Sequence, residues 1–111
     1  MAVIEREAKI VNPLGMHARP AAELVKIAGR FKSSVQIRKD DVEVNGKSIL
    51  GVMTLAAECG SSIWIRTDGA DAEEAMRALL ALVAEGFYEM HLTGDEDDAA
   101  ADAAEGPPGD R

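Results

Sequence analysis

VQIRKDDVEVNGKSILGVMTLAA, residues 35–57, changes backbone period twice within a short span. Val35, Ile37 and Lys39 alternate with Gln36 and Arg38, the period-two pattern of a strand. The acidic pair Asp40–Asp41 turns the chain, and Val42 to Val44 begin a second short strand. Asn45–Gly46 turns it again. From Ser48 to Ala57 the chain is apolar nearly throughout. That run suits a short helix, expected to be mostly buried, with Ser48 well placed as its N-cap.

Working outward, residues 2–11 alternate Ile4, Arg6, Ala8 and Ile10 with Val3, Glu5, Glu7, Lys9 and Val11, a first strand that Asn12, Pro13 and Gly15 break. Ala21, Leu24, Val25, Ala28 and Phe31 recur at helical spacing, which predicts an amphipathic helix from about 18 to Gly29. Beyond the opening stretch, Gly60 and Ser61 lead into a fourth strand, with Ile63 and Ile65 on one face. Asp71 and Glu74 form a D-x-x-E capping signature before a helix running to about Glu85, with Gly86 ending it. Glu73 and Glu74 also suit the positive end of that helix's dipole. The order is β-α-β-β-α-β-α. Four short strands with helices between them indicate an antiparallel or mixed sheet, helices on one face and water on the other. The polar outward set Glu5, Glu7, Lys9, Gln36, Arg38 and Arg66 agrees with an open face.

The chain has 111 residues, is 47% hydrophobic and carries a net charge of −8. Residues 1–91 hold 13 acids against 11 bases, net −2, so the acidity belongs to the tail. That tail, LTGDEDDAAADAAEGPPGDR (92–111), sets seven acids against Arg111, net −6. With one Leu and no other large apolar residue it cannot offset the entropy of ordering, and is expected to be disordered. Solubility is the simplest role for its charge; tuning of partner contacts is the sharper one. Two units follow: a folded domain over 1–91 and an acidic tail over 92–111. The lack of a basic block argues against a nucleic-acid surface. Glu5, Arg6, Glu7 and Lys9 interrupt the opening apolar run, and no run approaches the ~20 residues of a membrane span. A cytoplasmic protein is expected. The lone Cys59 allows neither an intrachain disulfide nor a thiolate metal cluster, and reads as an inert thiol near a turn. No metal or cofactor is expected.

Of the two histidines, His91 lies at the edge of the tail and His17 at a helix start. Pro20 fixes φ and lacks an N–H, so it belongs in a first helical turn. The helix therefore begins at residue 17 or 18, and His17 is its cap or the cap's neighbour. Histidine is not a preferred N-cap, and departures of this kind tend to mark functional sites. A helix N-terminus favours anions through its unpaired amides and partial positive charge. Arg19 adds a fixed cation with donors shaped for phosphate oxygens. Such surroundings disfavour a proton on the ring, so a neutral, nucleophilic imidazole is expected near neutral pH. Phosphoryl acceptance, plain anion binding and a histidine without function all remain open on these residues alone.

LGMHARPAAELV (14–25) resembles the active-site segment of the histidine-containing phosphocarrier proteins (HPr) of the bacterial phosphoenolpyruvate-dependent phosphotransferase system. VNGKSILGVM (44–53) resembles a second segment of that family, and GADAEEAMRALLALVAEGF (69–87) its last helix. The resemblance implies an α+β open-faced β-sandwich, a four-stranded antiparallel sheet with three helices on one face. It implies that His17 is phosphorylated on Nδ1 by phospho-enzyme I and passes the group to a histidine of an EIIA-type protein. Arg19 would clamp phosphoryl oxygens, the backbone around Ala18 and Arg19 would complete the cradle, and Pro20 would hold the turn. Ser48 matches the family's regulatory serine, which a dedicated HPr serine kinase/phosphorylase would modify. Ile49, Leu50 and Met53 would meet the partners, with Lys26 and Arg30 at the rim, although ordinary core packing would also explain the three apolar residues. A monomer is expected.

Leu14 stands where many sugar-type members carry a polar residue. The run NPLGMHARPA looks like the nitrogen-related branch, whereas VNGKSILGVM looks like the general type. A competing class is a non-transferring regulatory module controlled at Ser48, for which His17 would be superfluous. GKS at 46–48 is not a P-loop, because the glycine that motif needs earlier is Asp41.

Overall fold

The computed structural model describes residues 2–88; His91 and the tail over 92–111 lie outside the described residues. The elements are β1 (Ala2–Lys9), α1 (Ala18–Ala28), β2 (Ser34–Lys39), β3 (Val42–Asn45), α2 (Ile49–Thr54), β4 (Ser62–Gly69), α3 (Ala72–Ala84) and a closing 3-10 turn, Gly86–Tyr88. The strands form one sheet in the order β1-β4-β2-β3, antiparallel throughout. The helices cover one face, so this is the α+β, open-faced architecture expected. Lys39 pairs with Val42, which makes Asp40–Asp41 a two-residue hairpin turn.

Alternation decides which side of each strand meets the helices. Val35, Ile37, Ile63, Ile65 and Thr67 are buried, and Leu24, Ile27, Val52, Leu79, Leu82 and Phe87 close over them. The opposite face is polar and tied across strands. Arg38 reaches Glu5 at 3.8 Å and Arg66 reaches Glu43 at 3.2 Å. The Arg38 guanidinium also lies 5.5 Å from the centre of the Trp64 ring. Exposed pairs of this kind add little stability, but they leave that face without a broad apolar patch.

Two expectations need correction. The run after Ser48 is not mostly buried: within α2 only Val52 is buried, while Ile49 (42%), Leu50 (76%) and Met53 (37%) are exposed. A helix of under two turns has one packed side, and apolar content around the rest of it cannot be covered from that side. The D-x-x-E signature is also not a capping box. Asp71 stands at the N-cap of α3, yet its side chain makes no bond to the helix. Its carboxylate accepts instead from the Ser33 hydroxyl and from the backbone N–H groups of Lys32 and Ser33, the latter two at 2.9 Å. It fastens the start of α3 to the segment between α1 and β2.

Those donors, the Ser33 hydroxyl foremost, hold the Asp71 carboxyl down from its ordinary 3.8 to about 2. A depressed folded-state value means stability present above the unfolded value and lost as the pH falls towards the folded one. The tether therefore contributes fully above about pH 4 and fades between 3.8 and about 2. Asp71→Asn is expected to lower the urea midpoint at pH 7 and to lose this part of the acid dependence. Urea midpoints measured from pH 7 to pH 2 should converge with those of the parent at the acid end. Parallel curves would contradict the assignment.

Candidate functional site

His17 is the N-cap residue of α1, with extended backbone (φ −113, ψ −166). Its carbonyl accepts the first bond of the helix, from Ala21 N–H at 3.0 Å. The amides of Ala18 and Arg19 precede that bond and face out of the helix end, and Pro20, buried as the third helical residue, has no amide to satisfy. A serine or aspartate at this cap would fold back on the exposed donors. His17 makes no such capping bond, so the amides remain available to an anion. Its ring is partly exposed, and Ala18 and Arg19 are exposed beside it.

The loop that delivers His17 is pinned from below. Asn12 is fully buried, and its side-chain amide donates to the Gly15 carbonyl at 2.8 Å. Gly15 N–H returns to the Asn12 carbonyl at 3.1 Å, and His17 N–H also reaches Gly15 O at 3.1 Å. Met16 N–H donates to Ala57 O at 2.7 Å, which joins this loop to the one that follows α2. Gly15 adopts φ +71, and a Cβ there would lie 2.6 Å from Ala57 O and 3.0 Å from Glu58 Cα. Both obstacles are backbone and cannot swing aside. Gly15→Ala should therefore cost about 2–3 kcal/mol, from left-handed strain and the clash together. The same change at Gly60 (φ +93) meets nothing within 4 Å. Thermal melts of both variants should show the larger drop for Gly15→Ala; equal drops would show that the contact with Ala57 is immaterial.

The same contacts orient α2. Its C-terminal side meets the His17 loop through Ala57, while Lys47, just before it, donates Nζ to Phe31 O at 2.8 Å beyond the end of α1. The two helices thus run antiparallel. Met53 lies towards His17, and Ser48 at the far end, about 7.5 Å from Met53 along the axis at helical rise. Ser48 is the N-cap of α2, its Oγ accepting from Gly51 N–H at 3.0 Å. The exposed Ile49, Leu50 and Met53 stand together on this short helix. Leu14, 72% exposed, belongs to the His17 loop. Lys26 and Arg30 are exposed along α1.

The structure therefore brings His17, Ala18, Arg19 and Pro20 to one helix end and sets Ser48 apart from them. Local reading missed the supports: the approach of Gly15 to Ala57, the buried Asn12, and the Asp71 tether. A glycine three residues after a buried asparagine hints at a turn, but its partner 42 positions later leaves no mark in the local pattern. Among the described residues no group of three or more His, Cys, Asp or Glu could hold a metal ion, and no helix is long and apolar enough to cross a membrane.

Comparison with known proteins adds an independent line. A family model described as "PTS HPr component phosphorylation site" matches residues 4–85. A phosphocarrier protein HPr of Cupriavidus necator is 48% identical over 87 residues, which is 78% of this chain and 98% of that one. An HPr-like protein Crh of Halalkalibacterium halodurans is 44% identical over 81 residues, 73% of this chain and 96% of its own. Among solved structures, a phosphocarrier protein HPr from Bacillus anthracis aligns with a TM-score of 0.71 at 46% identity, covering 75% of this chain and 99% of that one.

Proposed function

The chain belongs to the HPr family of phosphotransferase-system components, and we propose that residues 1–91 are its carrier domain, with His17 as the phosphoryl acceptor. Like the family, it is a carrier and not a stand-alone enzyme. The observation that carries the assignment of the site is the uncapped helix end: His17 at the N-cap of α1 beside two outward amides and the exposed Arg19.

On this reading phospho-enzyme I docks over the α1 end. A lone pair of the His17 imidazole, at Nδ1, attacks phosphorus as the bond to the donor breaks, and the donor's group leaves with the bonding electrons. Charge on the equatorial phosphoryl oxygens is met by the Arg19 guanidinium and the amides of Ala18 and Arg19, donors already in place. Pro20 fixes the turn that aims them. The reverse sequence delivers the group to a histidine of an EIIA-type protein. Ile49, Leu50 and Met53 supply an apolar contact for both partners, and Lys26 and Arg30 a basic rim. The carrier acts as a monomer in the cytoplasm. Incubation with phosphoenolpyruvate and enzyme I tests the reading, and the phosphate taken up should be acid-labile and base-stable.

The output is sugar uptake or a nitrogen-type relay, and Leu14 bears on the choice. An exposed leucine contributes no donor to phosphate, which favours the nitrogen-type acceptor; transfer rates to EIIA proteins of both kinds decide it. A second reading has its own support in the likeness to a Crh protein: a regulatory module switched at Ser48 by a serine kinase. A phosphate there would sit at the start of α2, favoured by the helix dipole, and add about two negative charges at the edge of the apolar patch. The presence of both His17 and Arg19 ranks this second.

A further inference from the structure

Composition alone assigns the acidic tail to solubility; the place where the described chain ends points elsewhere. Asp71, at the start of α3, holds Lys32 and Ser33 just past the end of α1. The two helices pack together, and the closing turn Gly86–Tyr88 packs on both. α3 therefore runs back towards the start of α1, and Tyr88 lies at the His17 end of the molecule. The tail follows from there.

A basic stripe runs along α1 from that end. Arg19, Lys26 and Arg30 are separated by seven and four residues, which sets them on one face of a helix. Gly29 keeps helical geometry (φ −68, ψ −13), so Arg30 continues the line. All three are exposed. Glu23 shares the stripe and leaves it at +2. Among the described residues, the ion pairs are Arg38–Glu5, Lys39–Asp40 and Arg66–Glu43, none of them on this stripe. The complementary charge stands in the tail: Asp95, Glu96, Asp97, Asp98, Asp102 and Glu105. Asp95 lies seven Cα steps past Tyr88, a reach of up to ~23 Å extended and ~15 Å for a chain of random-coil dimensions. The stripe itself is ~16 Å long at helical rise. Tethering at this distance gives the acids an effective concentration on the order of millimolar.

We propose that residues 95–105 of the tail cover the Arg19–Lys26–Arg30 stripe, acting as a built-in competitor that acidic groups of a partner must displace. The inference rests on the reading of this face as the one that meets enzyme I. It adds a brake, set by ionic strength, to the carrier.

The test uses the full chain with Asp95→Asn, Glu96→Gln, Asp97→Asn, Asp98→Asn, Asp102→Asn and Glu105→Gln together. Amide resonances of Arg19, Lys26 and Arg30 are compared with those of the parent at low salt, with no partner present. They should move, and the difference should vanish in 0.5 M salt. The KM for transfer from phospho-enzyme I should fall about three- to tenfold at low salt, with kcat unchanged, as a few exposed ion pairs would give. Unmoved amides overturn the proposal even where KM falls, because the tail would then act through overall charge alone. Moved amides with an unchanged KM overturn the brake. Absence of transfer to both chains would sink the phosphocarrier reading instead, and the resonance comparison stands apart from it.

Discussion

A chain carrying His17→Ala, incubated with phosphoenolpyruvate and enzyme I, is expected to take up no acid-labile phosphate above background. The loss should be complete because the described site holds no second nucleophile: Ala18 and Pro20 have none, and the delocalised Arg19 guanidinium offers only donors. The His17 side chain makes no capping bond to α1, so the backbone ladder of the helix does not depend on it, and a thermal melt of the variant reports its folding. Intact folding with no uptake separates a chemical role from a structural one. Label surviving at parental level would remove His17 from the mechanism.

Arg19 comes next in expected effect. Arg19→Ala should slow transfer from phospho-enzyme I by about 10²- to 10³-fold, the size seen when one preorganised donor to a developing anionic oxygen is lost. Arg19→Lys should recover part of the rate, because it restores the charge without the planar fork that holds two oxygens. The thermal midpoint should not move, since Arg19 is exposed and takes part in none of the ion pairs of the sheet. Rapid-quench transfer kinetics and melts of the same samples check both statements. A loss of less than about threefold for Arg19→Ala would leave the two backbone amides as the cradle and the arginine as a docking contact only.

Much of this arrangement is legible before any coordinates. Pro20 alone locates the start of α1 to within a residue, because a residue without an N–H fits only where the ladder has not begun. Period-two alternation gives the inward faces of β2 and β4 correctly, from Val35 and Ile37 and from Ile63 and Ile65. Local pattern fails where one feature serves two contexts. The apolar run after Ser48 reads as a buried helix, yet burial depends on what covers it, and α2 is packed on one side only. Asp71 reads as a cap because of its spacing to Glu74, while its carboxylate goes to Ser33 and Lys32, 38 and 39 residues earlier. Both failures have one cause. Spacing records what a residue can do locally, and tertiary contact decides which of those options is taken.

The failures also bear on function. The three apolar side chains left outside on α2 are the surface proposed to meet partners, and their exposure is what a core reading of the sequence would have removed. Gly15, Asn12 and Ala57 hold the His17 loop from beneath through hydrogen bonds and close backbone contact, so the proposed acceptor is fixed on both sides of its turn. Such support fits a carrier that must present the same atom to two different partners.

The most direct measurement is the site of the phosphate itself. The full chain, uniformly labelled with ¹⁵N, is phosphorylated by enzyme I and phosphoenolpyruvate, and the imidazole nitrogens of its two histidines are followed by two-dimensional NMR. The account predicts that the Nδ1 resonance of His17 alone acquires coupling to phosphorus, with His91 unchanged. Phosphate found on His91 or Ser48, or on Nε2 of His17, would contradict it.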